Sequence, residues 1–194
     1  MSCIGLTACV FTAACGGSGG ANVLSFAEMQ QKNIDVLNIL RTTPGVVDMT
    51  GTDLPETGDA KFAGVMVFTA SPTLTLAGIT VLSSDFAAER IHGSALAFRD
   101  QNETAYNGTL VIAESDIDVG NANQADPTFS TGITGTLTSD ATTIGVVGNL
   151  EGDFYGTDEN PTFVRGTISG TANVNGVVNT LTDAGFIAER SEGY

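Results

Sequence analysis

The chain has 194 residues, about the length of one folded domain, so we expect a single folded unit. Its 22 acidic residues outnumber 7 Lys and Arg residues and give a formal net charge of -15, which excludes the electrostatics that nucleic acids and anionic membrane surfaces require of a partner. Hydrophobic residues make up 42% of the chain, enough for a sizeable core, so the composition excludes disorder.

Residues 1–15 form an apolar segment that ends in small residues and contains all three cysteines. It is too short to span a bilayer, but such a run before a cysteine is typical of the signal segment of an exported bacterial lipoprotein, whose cysteine is acylated after cleavage. Cys15 is the preferred acylation site because residues 16–24 follow it as a glycine-rich tether. Cys9, preceded by Leu6-Thr7-Ala8, is the second candidate.

One feature of this segment departs from a signal peptide. No Lys or Arg precedes Lys32, so the expected positive region is missing, which points to a start further upstream. The alternative is a buried apolar N-terminal strand with inert cysteines. If cleavage falls at Cys15, the mature domain keeps no thiol for a disulfide or a thiolate metal site.

Residues 25–45 have the pattern of one amphipathic helix. Ser25 and Glu28 form a capping box at its start, and Pro44-Gly45 ends it. We expect its apolar face to pack on the body of the domain, because an exposed apolar stripe favours aggregation. A helix that binds a partner is the alternative.

Strand-like segments recur from residue 61 onward. Strong hairpin turns are predicted at Asn107-Gly108 and Asn175-Gly176. With no second helix to cover a sheet, we predict that residues 46–194 form a single antiparallel eight-stranded β-barrel, a mainly β fold preceded by the N-terminal helix. The predicted strands are 62–69, 74–82, 85–99, 108–115, 128–138, 142–150, 161–171 and 174–190.

Bulky residues are available to fill such a barrel, whose interior holds either side chains or one small ligand. A filled barrel leaves the loops at one end as the binding surface. The longest polar connections are 100–107, 114–127 and 156–161, and their acidic residues favour a cationic partner whose association weakens with salt. The inward candidates are Phe62, Phe68, Phe98, Phe129, Phe154, Phe163, Ile133, Leu137, Val146 and Leu150.

Binding candidates lie in or beside two of these loops. The Asp116-Ile117-Asp118 spacing is also found in calcium loops, but the loop lacks the glycine and the terminal glutamate of an EF-hand, which favours a solvated acidic turn. We therefore expect no metal and no cofactor. The loop candidates for binding are Asp116, Asp118, Asn121, Asn123, Asp126, Tyr155, Asp158 and Glu159.

His92 is the single histidine, so at most one Ser-His-Asp arrangement could form. Its nearest partners in the sequence are Ser94 and either Asp85 or Glu89, but no nucleophile-elbow sequence accompanies them. The sequence also contains no phosphate-cradling loop, zinc spacing or dinucleotide fingerprint. We expect no catalytic residue.

Several segments resemble the transferrin-binding protein B-like surface lipoproteins. Residues 53–64 are similar to the opening strand motif of that family, with a Leu-Pro, a glycine and an aromatic residue before a glycine. Residues 152–156 resemble its Gly-x-Phe-Tyr-Gly motif, residues 166–170 follow in place, and residues 185–190 resemble its closing strand, although Ile187 stands where the family has glycine. The resemblance implies an eight-stranded barrel on a lipid-anchored protein of the Gram-negative outer membrane, periplasmic or surface-facing.

The expected function is that of a binding module for a solute, an iron-carrier protein or another macromolecule, with no nucleic-acid partner. One alternative is an envelope enzyme related to the outer-membrane acyltransferases, which needs an apolar belt with aromatic girdles. The absence of Trp, the three Tyr residues and the net charge of -15 disfavour that alternative. A purely structural or adhesive surface protein is the other.

Overall fold

The structure is a computed structural model that describes residues 23–120, 122, 128–157 and 160–191. Within these residues there is one α-helix, α1, which spans Phe26–Thr42, and a short 3-10 turn at Gly51–Asp53. The strands are β1 Val47–Asp48, β2 Asp59–Ser71, β3 Leu74–Asp85, β4 Arg90–Asp100, β5 Ala105–Asp116, β6 Phe129–Thr138, β7 Thr143–Thr157, β8 Asn160–Val174, β9 Val177–Thr180 and β10 Thr182–Ser191. The predicted signal segment, with Cys9 and Cys15, lies outside the described residues.

The helix begins at the predicted capping box. The Ser25 hydroxyl accepts a hydrogen bond from the Glu28 amide at 3.2 Å, and a Glu28 carboxylate oxygen accepts one from the Ser25 amide at 2.7 Å. Met29 and Val36 are buried against the outer wall of the barrel, so the predicted packing of this face on the domain is confirmed. Among the described residues, no helix has the length and apolar character needed to cross a membrane.

Eight strands close into an antiparallel barrel, which confirms the predicted fold. Their order around the ring is β2-β3-β4-β5-β6-β7-β8-β10, and β10 closes the ring by pairing with β2, where Phe186 lies opposite Met66. The short strand β9 pairs with the end of β8 and leads into β10. Closure leaves no long unpaired strand edge around the ring.

Aromatic side chains fill the interior. The ring of Phe154 contacts those of Phe62, Phe86 and Phe129, with centroids 5.8, 5.6 and 5.7 Å apart. The predicted inward residues are part of this core, with one exception. Phe163 packs outside the barrel against Val36 of the helix, so its inward assignment is wrong.

Residues 47–54 cover one end of the barrel. β1 pairs with the last residues of β7, with Asp48 opposite Tyr155. Met49 and Leu54 then enter the core. This segment therefore closes the interior at that end and places Asp48 on the outer wall beside β7.

The two Asn-Gly pairs have different roles. Asn175 and Gly176 form a hairpin turn with φ of 49° and 90°, as predicted. Asn107-Gly108 lies inside β5, so that turn prediction is wrong; a Cβ on Gly108 would lie 2.1 Å from the Thr136 carbonyl oxygen. Here glycine permits the close approach of two strands.

Candidate functional site

The two ends of the barrel carry different connections. We call one the acidic end; it holds residues 51–59, the turn 85–90, the connection 116–129 and the end of β7. The opposite end holds the turns 71–74, 100–105, 138–143 and 174–177. Successive antiparallel strands reverse direction, so 100–107 lies at the opposite end, and the expectation that it shares a binding end with 114–127 and 156–161 is wrong.

Carboxylates concentrate at the acidic end. Arg90 forms a salt bridge with Asp116, but both side chains are well exposed and the pair contributes little to stability. At the opposite end, the Asp100 carboxylate is buried and accepts hydrogen bonds from the amides of Asn102 and Thr104 at 2.8 and 2.9 Å, and three carboxylates, those of Glu103, Asp140 and Asp183, are exposed. Among the described residues, the exposed carboxylates of the acidic end are Asp53, Glu56, Asp59, Asp85, Glu89, Asp116 and Asp118.

The connection that follows β5 is fixed at both of its ends. Ile117 pairs with Phe129 in an isolated bridge, and the Asp118 amide donates to the Thr128 carbonyl oxygen at 2.8 Å. These contacts hold the predicted site residues Asp116 and Asp118, which are exposed, at the base of the loop. The other candidates of this loop, Asn121, Asn123 and Asp126, lie outside the described residues.

Tyr155 lies on the outer wall at the same end. Its strand neighbour is Asp48, and two residues before it Asp153 lies opposite Arg165 of β8. The Thr128 amide donates to Asp153 Oδ1 at 2.9 Å. The connection after β5 therefore contacts the Asp153–Tyr155 stretch of β7, and the sequence had offered binding candidates in each. Asp158 and Glu159, the candidates that follow Tyr155, lie outside the described residues.

We call Asp48, Asp153, Tyr155 and Arg165 the wall cluster, and burial raises the pKa of three of its members, Asp48, Asp153 and Tyr155. Burial, together with the charge of Asp153, raises the pKa of Asp48 to about 6, although Arg165 opposes the shift. Burial also raises the pKa of Asp153, although the hydrogen bond from the Thr128 amide favours the ionised carboxylate and lowers it. Burial and the two carboxylates raise the pKa of Tyr155, so its phenol stays protonated at neutral pH.

Sequence reasoning missed two members of the wall cluster, Asp48 and Arg165. Counting residues outward from the turn between β7 and β8 could have suggested which residue faces Asp153. A register shift between Tyr155 and Gly156 changes the pairing by one residue, so this count does not give Arg165. No pattern in the sequence indicated that Asp48 belongs to this cluster, because its two-residue strand lies more than 100 positions before its partner in β7.

The described residues do not bring His92 together with the partners that the sequence offered for it. His92 is exposed on the outer wall of β4, and no hydrogen bond joins it to Ser94, Asp85 or Glu89. Within the described residues, no three His, Cys, Asp or Glu side chains are grouped so that they could hold a metal ion. No family model matches the chain, and neither does any curated protein.

Proposed function

We propose that the protein is a lipid-anchored binding module of the Gram-negative cell envelope, and that it binds a partner with a basic face through the acidic end of its barrel. The observation that carries the proposal is the gathering of exposed carboxylates around the turn 85–90 and the connection 116–129. Such a patch attracts a basic surface over about a screening length, about 10 Å at 0.1 M salt.

The filled interior supports an external binding surface. The ring of Phe154 and its neighbours occupies the space in which barrels of this size hold a small ligand. Met49 and Leu54 pack into the same core from the acidic end. A ligand therefore meets the ends and the outer wall of the barrel and not its centre.

The anchor and the location come from the sequence. The apolar run of residues 1–15 with Cys15, or Cys9, and the glycine-rich stretch after it fit an acylated tether. The resemblance to transferrin-binding protein B-like lipoproteins supports an outer-membrane location, facing either the periplasm or the cell surface. It does not select a ligand.

Metabolic labelling tests the anchor. Cells fed a clickable palmitate should yield labelled protein in the outer-membrane fraction, and Cys15→Ser or Cys9→Ser should abolish the label. Cys3→Ser serves as the matched control and should stay labelled. Wild-type protein without label would overturn the proposed anchor.

Charge-neutral variants test the binding end. The immobilised protein is exposed to culture medium and envelope extract, and the retained proteins are eluted with rising salt. Asp59→Asn with Glu89→Gln should lower the salt concentration needed for elution, because both carboxylates are exposed at the acidic end. The matched pair Asp140→Asn with Asp183→Asn removes the same charge elsewhere on the surface. Equal losses from both pairs would contradict a site at the acidic end.

A further inference from the structure

Three asparagines of the chain are followed, two positions later, by a threonine. Such an Asn-x-Ser/Thr triplet, with any residue except proline at x, is the acceptor sequence of N-linked glycosylation. The proline at position 161 excludes the last of the three, so the sequence leaves two acceptors. The triplets are Asn102-Glu103-Thr104, Asn107-Gly108-Thr109 and Asn160-Pro161-Thr162.

The fold separates the two remaining triplets. Asn107-Gly108-Thr109 lies inside β5, which pairs with β4 on one side and with β6 on the other. An enzyme that modifies asparagine has to surround the acceptor segment, and a strand that is paired on both sides exposes only one face. The triplet would have to leave the sheet first, so the folded protein excludes Asn107 as an acceptor.

Asn102 lies in the turn between β4 and β5, where Glu103 and Thr104 are also exposed. The backbone amides of Asn102 and Thr104 donate to the Asp100 carboxylate at 2.8 and 2.9 Å, which holds the turn. Neither the side-chain amide of Asn102 nor the hydroxyl of Thr104 is hydrogen-bonded to another described residue. Both side chains that define the acceptor are therefore open to an enzyme.

Two further contacts hold this turn, and neither uses the Asn102 side chain. Glu103 Oε2 accepts a hydrogen bond from the Phe26 amide at 2.9 Å, at the start of α1. The Glu103 carbonyl oxygen accepts one from Arg99 Nη1 at 3.0 Å. A sugar attached to Asn102 would therefore displace no hydrogen bond of the folded protein.

We propose that Asn102 is a site of N-linked glycosylation, with a polyprenyl-diphosphate-linked oligosaccharide as the donor. A bond forms between Asn102 Nδ2 and the anomeric carbon of the first sugar, and the bond from that carbon to the diphosphate oxygen breaks. The polyprenyl diphosphate leaves, and Nδ2 gives up one proton to a base of the transferase. The modification requires an exported chain, so the proposal rests on the envelope location proposed above.

The position of Asn102 suits the proposed binding surface. Its turn lies at the opposite end of the barrel, and α1 runs from this turn along the outer wall until its last turns pack beside Tyr155 at the acidic end. The 17 residues of α1 correspond to about 25 Å, at 1.5 Å per residue. A glycan on Asn102 therefore leaves the carboxylates of the acidic end open to a soluble partner.

Mass spectrometry of the full protein, purified from the envelope of the cells that make it, tests the proposal. Cleavage after Glu103 places Asn102 and Asn107 on separate peptides. The peptide with Asn102 should carry the added mass of hexose or N-acetylhexosamine units, and the peptide with Asn107 should not. Unmodified Asn102 in the wild type, or equal modification of the two asparagines, would overturn the proposal.

Four variants test whether the triplet itself is recognised. Asn102→Gln and Thr104→Ala should each abolish the added mass, because each removes one of the two side chains that define the acceptor. The matched control Asn107→Gln and the conservative Thr104→Ser, which keeps the hydroxyl, should retain it. A glycan that persists on Asn102 in Thr104→Ala would contradict recognition of the triplet.

This result is separable from that of palmitate labelling. A glycan on Asn102 in a protein that takes up no palmitate would support glycosylation of an exported chain and overturn the anchor. Palmitate labelling of a protein without a glycan would overturn glycosylation and leave the anchor standing.

Discussion

Asp48 shows how a position on the outer wall changes the pKa of a common side chain. Its carboxylate is half-buried beside Asp153, while Arg165 supplies one positive charge near both. The fold therefore favours the protonated acid, with its pKa raised to about 6 from an ordinary value of 3.8. A raised pKa means that the folded chain binds a proton more tightly than the unfolded chain, so this group opposes folding increasingly as the pH rises from about 4 to above 6.

Replacing the Asp48 carboxylate with a neutral amide should remove this pH dependence. We expect Asp48→Asn to be more stable than the wild type above pH 6, and the advantage to shrink as the pH falls through 6 and to disappear below the ordinary pKa of 3.8, where the wild-type carboxyl is protonated in both states. Urea unfolding of both proteins across this range measures the difference, with Asp140→Asn, an exposed carboxyl at the opposite end, as the control. A variant less stable than the wild type at pH 7 would contradict the prediction.

Phe154 lies at the centre of the aromatic core. Its side chain is fully buried and contacts three other phenylalanine rings. Phe154→Ala should lower the free energy of unfolding by about 3–5 kcal/mol, because it removes apolar contacts and leaves a cavity. Chemical denaturation measures the loss, and Val147→Ala, at a position 64% exposed, should change stability by less than about 0.5 kcal/mol. Similar losses at the two positions would show that the core does not depend on this ring.

At the scale of single elements, backbone conformation separates two glycines that both have open space at the Cβ position. Gly176 in the β8–β9 hairpin and Gly132 in β6 both have open space where a Cβ would lie. Only Gly176 has a positive φ, of 90°. Any difference between their alanine variants therefore reports the left-handed backbone and not a clash.

Gly176→Ala should destabilise the protein by about 1–2 kcal/mol, the usual cost of a left-handed conformation for a residue with a Cβ. Gly132→Ala should leave stability unchanged or raise it by up to about 1 kcal/mol, because alanine restricts the unfolded chain. Thermal or urea unfolding of both variants tests the pair. Equal effects would indicate that the hairpin does not need its glycine.

At the scale of the whole molecule, packing and strand pairing carry the fold. All three cysteines precede Val23, so neither the helix nor the barrel contains a thiol. The barrel closes through continuous antiparallel pairing and a single aromatic and aliphatic core. Cross-links and metal ions are not needed to explain its closure.

Reductant and chelator should therefore each leave the melting temperature unchanged. A chain that begins at Ala21 is heated with and without each reagent, and the two transitions should coincide. A ligand that binds only the folded state raises the melting temperature, so a large drop with chelator would reveal a bound cation. The acidic connection with Asp116 and Asp118 would then be the first place to look for it.

The amino-acid sequence by itself determined the features that depend on near neighbours in the chain. The capping box of Ser25 and Glu28 and the hairpin at Asn175-Gly176 need only a few residues each, and the alternation of strands such as β6 and β7 reveals their inward faces. With only one helix available, these local features also sufficed for a closed eight-stranded barrel.

Only the tertiary structure decided which distant residues meet. Phe163 and Val164 are both buried, on opposite faces of β8, because the helix covers the outer wall there and apolar residues suit both sides. Alternation cannot tell an inner wall from a covered outer wall. The wall cluster depends on the pairing of Asp48 with β7 and on a shifted register between β7 and β8, and such pairing is set by the packing of the whole chain, not by the residues around each position.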